Sequence, residues 1–269
     1  MPDQTDNVAR GGGKRWSPIL LRGLLFLILG LFVLYYTLPL FVMVVTSLKS
    51  LPEIRQGALL GLPKEIVLDA WKNAWSEACA GVTCVGLKPY FWTSVVLVVP
   101  AVIISTAIGA INGYILSMWQ FKGSNIIFGL MLFGCFIPFQ AVLLPMAITL
   151  GKIGIAGNVA GLVLVHVVYG IGFTTLFFRN YYVSVPVELV KAAKIDGAGF
   201  WTIFGSIILP MSAPVIVVTV IWQFTSIWND FLFGVSFSQG DNQPITVALN
   251  NIVNSTTGVK EYNVDMASA

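Results

Sequence analysis

The chain has 269 residues, of which 57% are hydrophobic and only 10% charged, with a formal net charge of +3 and a mean hydropathy of +0.84. Soluble domains carry roughly 25% charged residues, so this composition excludes a globular domain with a large core and predicts an all-α polytopic membrane protein. The small charge, with no long basic run, argues against nucleic acid as a partner.

Residues 1–18 are polar and contain Gly11, Gly12 and Gly13, which predicts a disordered cytoplasmic tail closed by Lys14 and Arg15. The next, apolar run is too long for a signal h-region of about 7–15 residues, so it is expected to stay as an anchor. It forms a first span over about 19–45, longer than the ~20 residues a bilayer requires, with its start in the cytoplasm. By alternation, residues 46–90 form an external loop of mixed charge. Cys79 and Cys84 lie there as CAGVTC; on the oxidising side a local disulfide and two free thiols both stay open. A metal site is not expected, because the loop offers two thiols and no histidine.

The second and third spans cover about 91–118 and 126–150, joined by a short linker whose Lys122 places it in the cytoplasm. Gly109 and Gly113 make a small-xxx-small pair that lets another helix come close. Ser105, Gly109 and Asn112 share one face, for which helix packing and a place beside an aqueous path are the two readings. Pro138, Gln140 and Pro145 interrupt the third span and predict a bent helix whose freed backbone groups are satisfied within a bundle. The fourth span, about 159–178, carries His166, the one histidine of the sequence. An ionisable group at that depth is either functional or a neutral, hydrogen-bonded helix contact. In the tail and short loops, Arg10, Lys14, Arg15, Arg22, Lys122, Arg179, Lys191 and Lys194 fall on the cytoplasmic side, against Lys152 and Lys260 outside, a bias that supports this orientation.

Residues 184–209 are the polar, helix-patterned insert between apolar segments. Ser184 is a plausible N-cap, Pro186 suits a first turn and Glu188 suits the positive helix end. The short helix is broken by Asp196 and Gly197, the glycine giving a positive φ or a close backbone approach and the aspartate capping the next helix. Phe200, Ile203, Phe204, Ile207 and Ile208 then form one apolar stripe of that second, amphipathic helix. The fifth span, about 215–237, carries Thr219, Gln223, Ser226 and Asp230 at i, i+4, i+7 and i+11, with Trp222, Trp228 and Asn229 beside them. A polar face with flanking indoles suits a path for a hydroxylated ring, and interhelical hydrogen bonding is the plainer alternative.

The stretch ELVKAAKIDGAGFWTIFGSIILP, through Ala192, Ala193, Asp196, Gly197, Ala198, Ile208, Leu209 and Pro210, resembles the EAA signature of bacterial ABC importer permeases. Lys191 stands where the signature glutamate usually stands; Glu188 is one turn away. The resemblance covers nearly everything from Ile19 onward. It implies the type I permease fold and coupling helices over 184–209 that dock a cytoplasmic ATPase through Glu188, Lys191, Ala192, Ala193, Asp196, Gly197 and Ala198. The long first external loop and the WNDFLFG segment resemble the carbohydrate branch, in the manner of the smaller of two paired sugar permeases, and within it the permeases of glucose or related monosaccharides.

The expected partners are therefore a second homologous permease, two ATPase subunits that carry the ATP, a periplasmic sugar-binding protein and the lipid of a bacterial inner membrane. The chain itself is expected to bind no cofactor and to have no catalytic residue, since it has no GxxxxGK[ST] loop and no paired acid or Ser/His grouping. The candidate substrate path comprises Thr219, Gln223, Ser226, Trp228, Asn229 and Asp230 with Asn112 and Gln140. The family normally has a sixth span; five are read here, and residues 266–269 look like the first turn of the next. The alternatives to a sugar importer are an importer of another solute and a secondary transporter, the latter disfavoured because no repeat is found.

Overall fold

A computed structural model describes residues 18–57, 60–81, 83–119, 121–254 and 260–269; the tail cations Arg10, Lys14 and Arg15 lie outside them. The chain divides into two compact units, residues 1–70 with 261–267 and residues 71–260 with 268–269. In the first, α1 (Pro18–Ser47) is 30 residues long, about 45 Å at 1.5 Å per residue. Its side chains from residue 19 to 41 are exposed around the whole helix, the pattern of a segment whose solvent is lipid. After it comes α2 (Leu51–Arg55), whose Glu53 Oε1 accepts the backbone N–H of Lys64 at 3.0 Å.

The second unit starts within α3 (Asp69–Ser76) and continues into a hairpin, β1 (Cys79–Ala80) and β2 (Thr83–Cys84), in antiparallel register with Cys79 opposite Cys84. Gly81 takes φ +70° at its turn, and the two cysteines are joined as a disulfide. Then α4 (Lys88–Met118), α5 (Ser124–Cys135), α6 (Phe139–Lys152) and α7 (Val159–Val183) follow. Helices α4 and α7 form the main packing pair, and glycine decides how close they come. A Cβ on Gly109 would stand 2.9 Å from the backbone carbon of Thr174, and one on Gly113 would stand 2.8 Å from the backbone nitrogen of Arg179.

The third span is broken. Helices α5 and α6 meet at 102°, because Pro138 takes φ −58° and ψ 136° ahead of α6 and proline disfavours a helical residue before it. The carbonyl freed at Ile137 accepts the phenol of Tyr169 on α7 at 3.0 Å, so the break is satisfied inside the bundle.

Beyond α7 lies the polar insert: α8 (Val187–Ile195), α9 (Phe200–Ile203), a π-helical segment at Phe204–Ile208 and α10 (Leu209–Met211). Helix α11 (Ala213–Trp228) leaves this insert at 76° to it. After it come α12 (Leu232–Phe237), a 3-10 turn and α13 (Ile245–Val253). The last helix, α14 (Tyr262–Ser268), returns to the first unit, where Asn263 Nδ2 donates to Lys49 O at 3.4 Å. Among the described residues three helices are long and apolar enough to cross a bilayer, and five spans result if each bent pair counts as one.

Two apolar clusters hold the second unit. One joins α4, α6, α7, α11 and α12 through residues such as Leu97, Leu150, Leu162, Ile227 and Phe233. The other joins α4, α7 and the insert through Tyr114, Phe178, Tyr182, Val190, Ile203 and Ile208.

Candidate functional site

Residues of the polar stripe meet α7 at a cavity of about 180 Å³. Its walls are aromatic, formed by Phe139, Tyr169, Phe173, Trp222 and Phe233, and its polar groups are His166, Gln223, Ser226 and Asp230. Helix α11 ends at Trp228, so Asp230 lies past the helix end rather than on its fourth turn. Its Oδ2 accepts the backbone N–H groups of Phe233 at 3.0 Å and Gly234 at 3.1 Å and thereby caps α12. Its backbone carbonyl accepts Thr246 Oγ1 at 2.7 Å.

Gln223 is almost fully buried, and its Nε2 donates to Ser105 Oγ at 3.0 Å. Ser105 Oγ donates to Ala101 O at 2.7 Å, and its backbone carbonyl accepts Thr174 Oγ1 at 3.0 Å. These bonds tie α4, α7 and α11 at one level, next to Gly109 and to Gly170, where Gln223 fills the space a Cβ would need. His166 is 6% exposed, and its Nε2 has no hydrogen-bond partner and stands 3.8 Å from Asp230 Oδ2.

The remaining stripe residues are placed elsewhere. Thr219 is buried and bonds back to Val215 O at 2.7 Å, a helix-internal contact. Trp228 packs between Phe91 and Phe224, at ring separations of 5.6 and 5.5 Å. Asn229 is exposed and donates to Thr225 O at 2.9 Å. Asn112 donates to Thr175 Oγ1 on α7 at 3.4 Å, within the α4–α7 seam. Gln140 is exposed on α6, one residue beyond the cavity wall at Phe139. His166, Phe139, Tyr169 and Phe173 come from elements remote in sequence, whereas Trp222 and Phe233 lie beside the stripe. The sign that pointed to His166 was its being an ionisable group inside an apolar run.

The polar insert forms a knob with two faces. Helix α8 closes in a Schellman turn, with Ala198 N donating to Ala193 O at 2.9 Å and Gly197 N to Lys194 O at 3.1 Å. Gly197 takes φ +84°, and a Cβ there would meet nothing within 4 Å, so within this chain the glycine serves the backbone conformation and not a close approach. Ser184 does not cap α8: its hydroxyl turns back to Tyr181 O at 2.6 Å, and Pro186 takes the capping position. Asp196 ends α8 rather than starting the next helix, which Gly199 precedes.

On the inner face Val190, Ile203 and Ile208 are buried, with Ala193 and Ala198 half-buried beside them. Two hydrogen bonds add to this apolar joint with the bundle: Ser212 Oγ lies 2.9 Å from Tyr182 Oη, and Tyr181 Oη donates to Met211 O at 2.6 Å. Lys194 Nζ sits 3.9 Å over the Trp119 ring. The outer face presents Glu188, Lys191, Ala192, Asp196 and Gly197, together with Ile195 at 86% exposure and Trp201 at 66%.

Residues 13–258 match the family described as binding-protein-dependent transport system inner membrane component. The chain belongs to that family. It is similar to a probable ABC transporter permease of Pyrococcus horikoshii, 46% identical over 54% of this chain and 53% of that one. It is also similar to the xylose/arabinose import permease of Haloferax volcanii, 35% identical over 68% of this chain and 66% of that one. The chain thus spans about half to two thirds of the length of these relatives. In fold it resembles a bacterial ABC transporter involved in the import of the acidic polysaccharide alginate, with a TM-score of 0.79 and 18% identity over 94% of this chain and 91% of that one. Its helical fold is the permease fold of that transporter.

Proposed function

We propose that this permease serves an ATP-driven sugar importer and forms half of its translocation path. The observation that carries the reading is the cavity between α7 and α11, where four polar side chains stand among five aromatic rings in an otherwise apolar bundle. Apolar ring faces receive the C–H surface of a sugar and polar groups its hydroxyls, and the similarity to the xylose/arabinose permease of Haloferax supports a carbohydrate cargo. Of the stripe, Gln223, Ser226 and Asp230 face the path, while Thr219, Trp228, Asn229, Asn112 and Gln140 support it from neighbouring positions.

The knob is the handle for energy. Its outer residues Glu188, Lys191, Ala192, Asp196 and Gly197 dock a cytoplasmic ATPase subunit, with Ile195 and Trp201 supplying apolar contact, while its inner residues Ala193, Ala198, Ile203 and Ile208 pass the movement to α7 and α11. ATP binds on two such partners. A second permease completes the path, and an external binding protein delivers the sugar. The chain sits in the inner membrane with its N-terminus in the cytoplasm, so that the knob faces the ATPase and the hairpin of Cys79 and Cys84 faces outward. ATP-driven closure of the ATPase pair moves both knobs and opens the path alternately to each side.

The test is uptake into proteoliposomes of the complex purified from native membranes with its ATPase and binding protein. ATP-dependent entry of labelled D-glucose or D-xylose is expected. Uptake by this chain alone, or ATP-driven uptake of an amino acid and of neither sugar, would overturn the reading.

A further inference from the structure

His166 lines the cavity, and its buried Nε2 has no hydrogen-bond partner among the described residues. Of the other polar liners, Ser226 is exposed, Gln223 holds Ser105, Asp230 Oδ2 caps α12, and the phenol of Tyr169 closes the break at Ile137. Leaving a buried polar group unpaired costs about 1–3 kcal/mol, and such a group calls for an explanation in terms of what it binds. The gap to Asp230 Oδ2, 3.8 Å, is beyond the ~3.2 Å limit of a direct hydrogen bond, whereas a hydroxyl oxygen about 2.8 Å from each atom spans it.

We propose that His166 and Asp230 together read one hydroxyl of a single sugar ring, with His166 as the group that distinguishes one hydroxylation pattern from another. The proposal rests on the sugar-importer reading. A hydroxyl is the group that suits the gap, since it donates to the carboxylate and accepts from Nε2–H with the same oxygen. Lipid tails and apolar solutes would leave His166 Nε2 unpaired. The cavity volume, about 180 Å³, corresponds to about six waters at ~30 Å³ each and lies below the ~300 Å³ at which sites for drug-sized ligands begin. The part of the path that this chain lines therefore has room for a single sugar ring. Phe233 meets the imidazole in an edge contact at 5.6 Å, and Tyr169 and Phe139 pack against Phe233 at 5.6 Å, so the reading group stands within an aromatic cluster.

The experiment measures kcat/KM of ATP-driven uptake by the reconstituted complex for D-glucose, D-xylose and the monodeoxy analogues of whichever is carried. It compares the native chain with His166→Phe, which keeps the ring and its contact with Phe233, and His166→Gln, which restores a hydrogen-bonding amide. The native complex is expected to discriminate about tenfold against one deoxy analogue, His166→Phe to lose about tenfold on the parent sugar and nothing on that analogue, and His166→Gln to recover part of the loss. A His166→Phe complex that keeps the native discrimination, or that loses uptake of every analogue equally, would overturn the proposal while leaving the sugar importer standing. Failure of the native complex to carry either sugar would overturn both.

Discussion

A side chain at Gly113 has nowhere to go, because the Cβ position is 2.6 Å from Phe178 Cβ and 2.8 Å from the Arg179 backbone nitrogen. Gly113→Val must push α4 and α7 apart, and overpacking of this kind costs about 1–3 kcal/mol or more. Gly129→Ala is the control, since a Cβ there meets nothing within 4 Å. Thermal unfolding in detergent should show a lowered transition for Gly113→Val and none for Gly129→Ala. Gln223 belongs to the same seam. It is 2% exposed and bonded to Ser105, and interhelical hydrogen bonds in membranes contribute on average about 0.6 kcal/mol and up to ~1.7. Gln223→Ala also empties the volume beside Gly170, so its expected effect is a drop in stability of about 1–2 kcal/mol together with any change in uptake. An unchanged unfolding transition would remove Gln223 from the seam and leave it a pure path residue.

At the scale of elements, the knob shows what spacing conveys and what it omits. The stripe of Phe200, Ile203, Phe204, Ile207 and Ile208 is legible because these residues recur at helical intervals, and they are the residues of that stretch withdrawn from solvent. The π-helical segment is not legible, since the same stripe fits an α-helix; only packing shows Ile203 and Ile208, five apart, buried together. Pro138 announces the break in the third span, while its 102° angle and the contact of Tyr169 with the freed carbonyl of Ile137 are seen only in the packed structure. The stripe of the candidate path was legible as a period-3.6 pattern on one helix. The cavity was not, because His166, Phe139, Tyr169 and Phe173 are brought to the stripe by tertiary packing, and because the chain leaves the helix before Asp230. Gly197 gives the element-scale prediction. Its φ of +84° costs a non-glycine residue roughly 1–2 kcal/mol, and the space around it within the chain is open. Gly197→Val should therefore insert and fold, yet lose uptake coupled to ATP hydrolysis if a partner covers this turn. Normal coupled uptake by that variant would show that the turn is not a docking surface.

At the scale of the whole molecule the proposed orientation of the bundle rests on two distant features. The disulfide between Cys79 and Cys84 closes a loop of sequence separation 5 and persists only on an oxidising side, whereas the knob, if it docks an ATPase as proposed, has to lie in the cytoplasm. The eight-to-two excess of Lys and Arg in the tail and short loops gives the same sense. Cys135, the one free cysteine among the described residues, sits within α5, so a Cys135→Ser background leaves a clean probe. In intact cells, reduction followed by a membrane-impermeant maleimide should label Cys79 and Cys84. Ile195→Cys, whose parent side chain is 86% exposed at the tip of the knob, should be labelled only in inside-out vesicles. Its labelling should fall when the ATPase subunit is bound, because docking buries the apolar tip that the chain alone leaves in water. Labelling of Ile195→Cys from outside would invert the topology. Equal labelling with and without the ATPase would preserve the topology and remove Ile195 from the docking face.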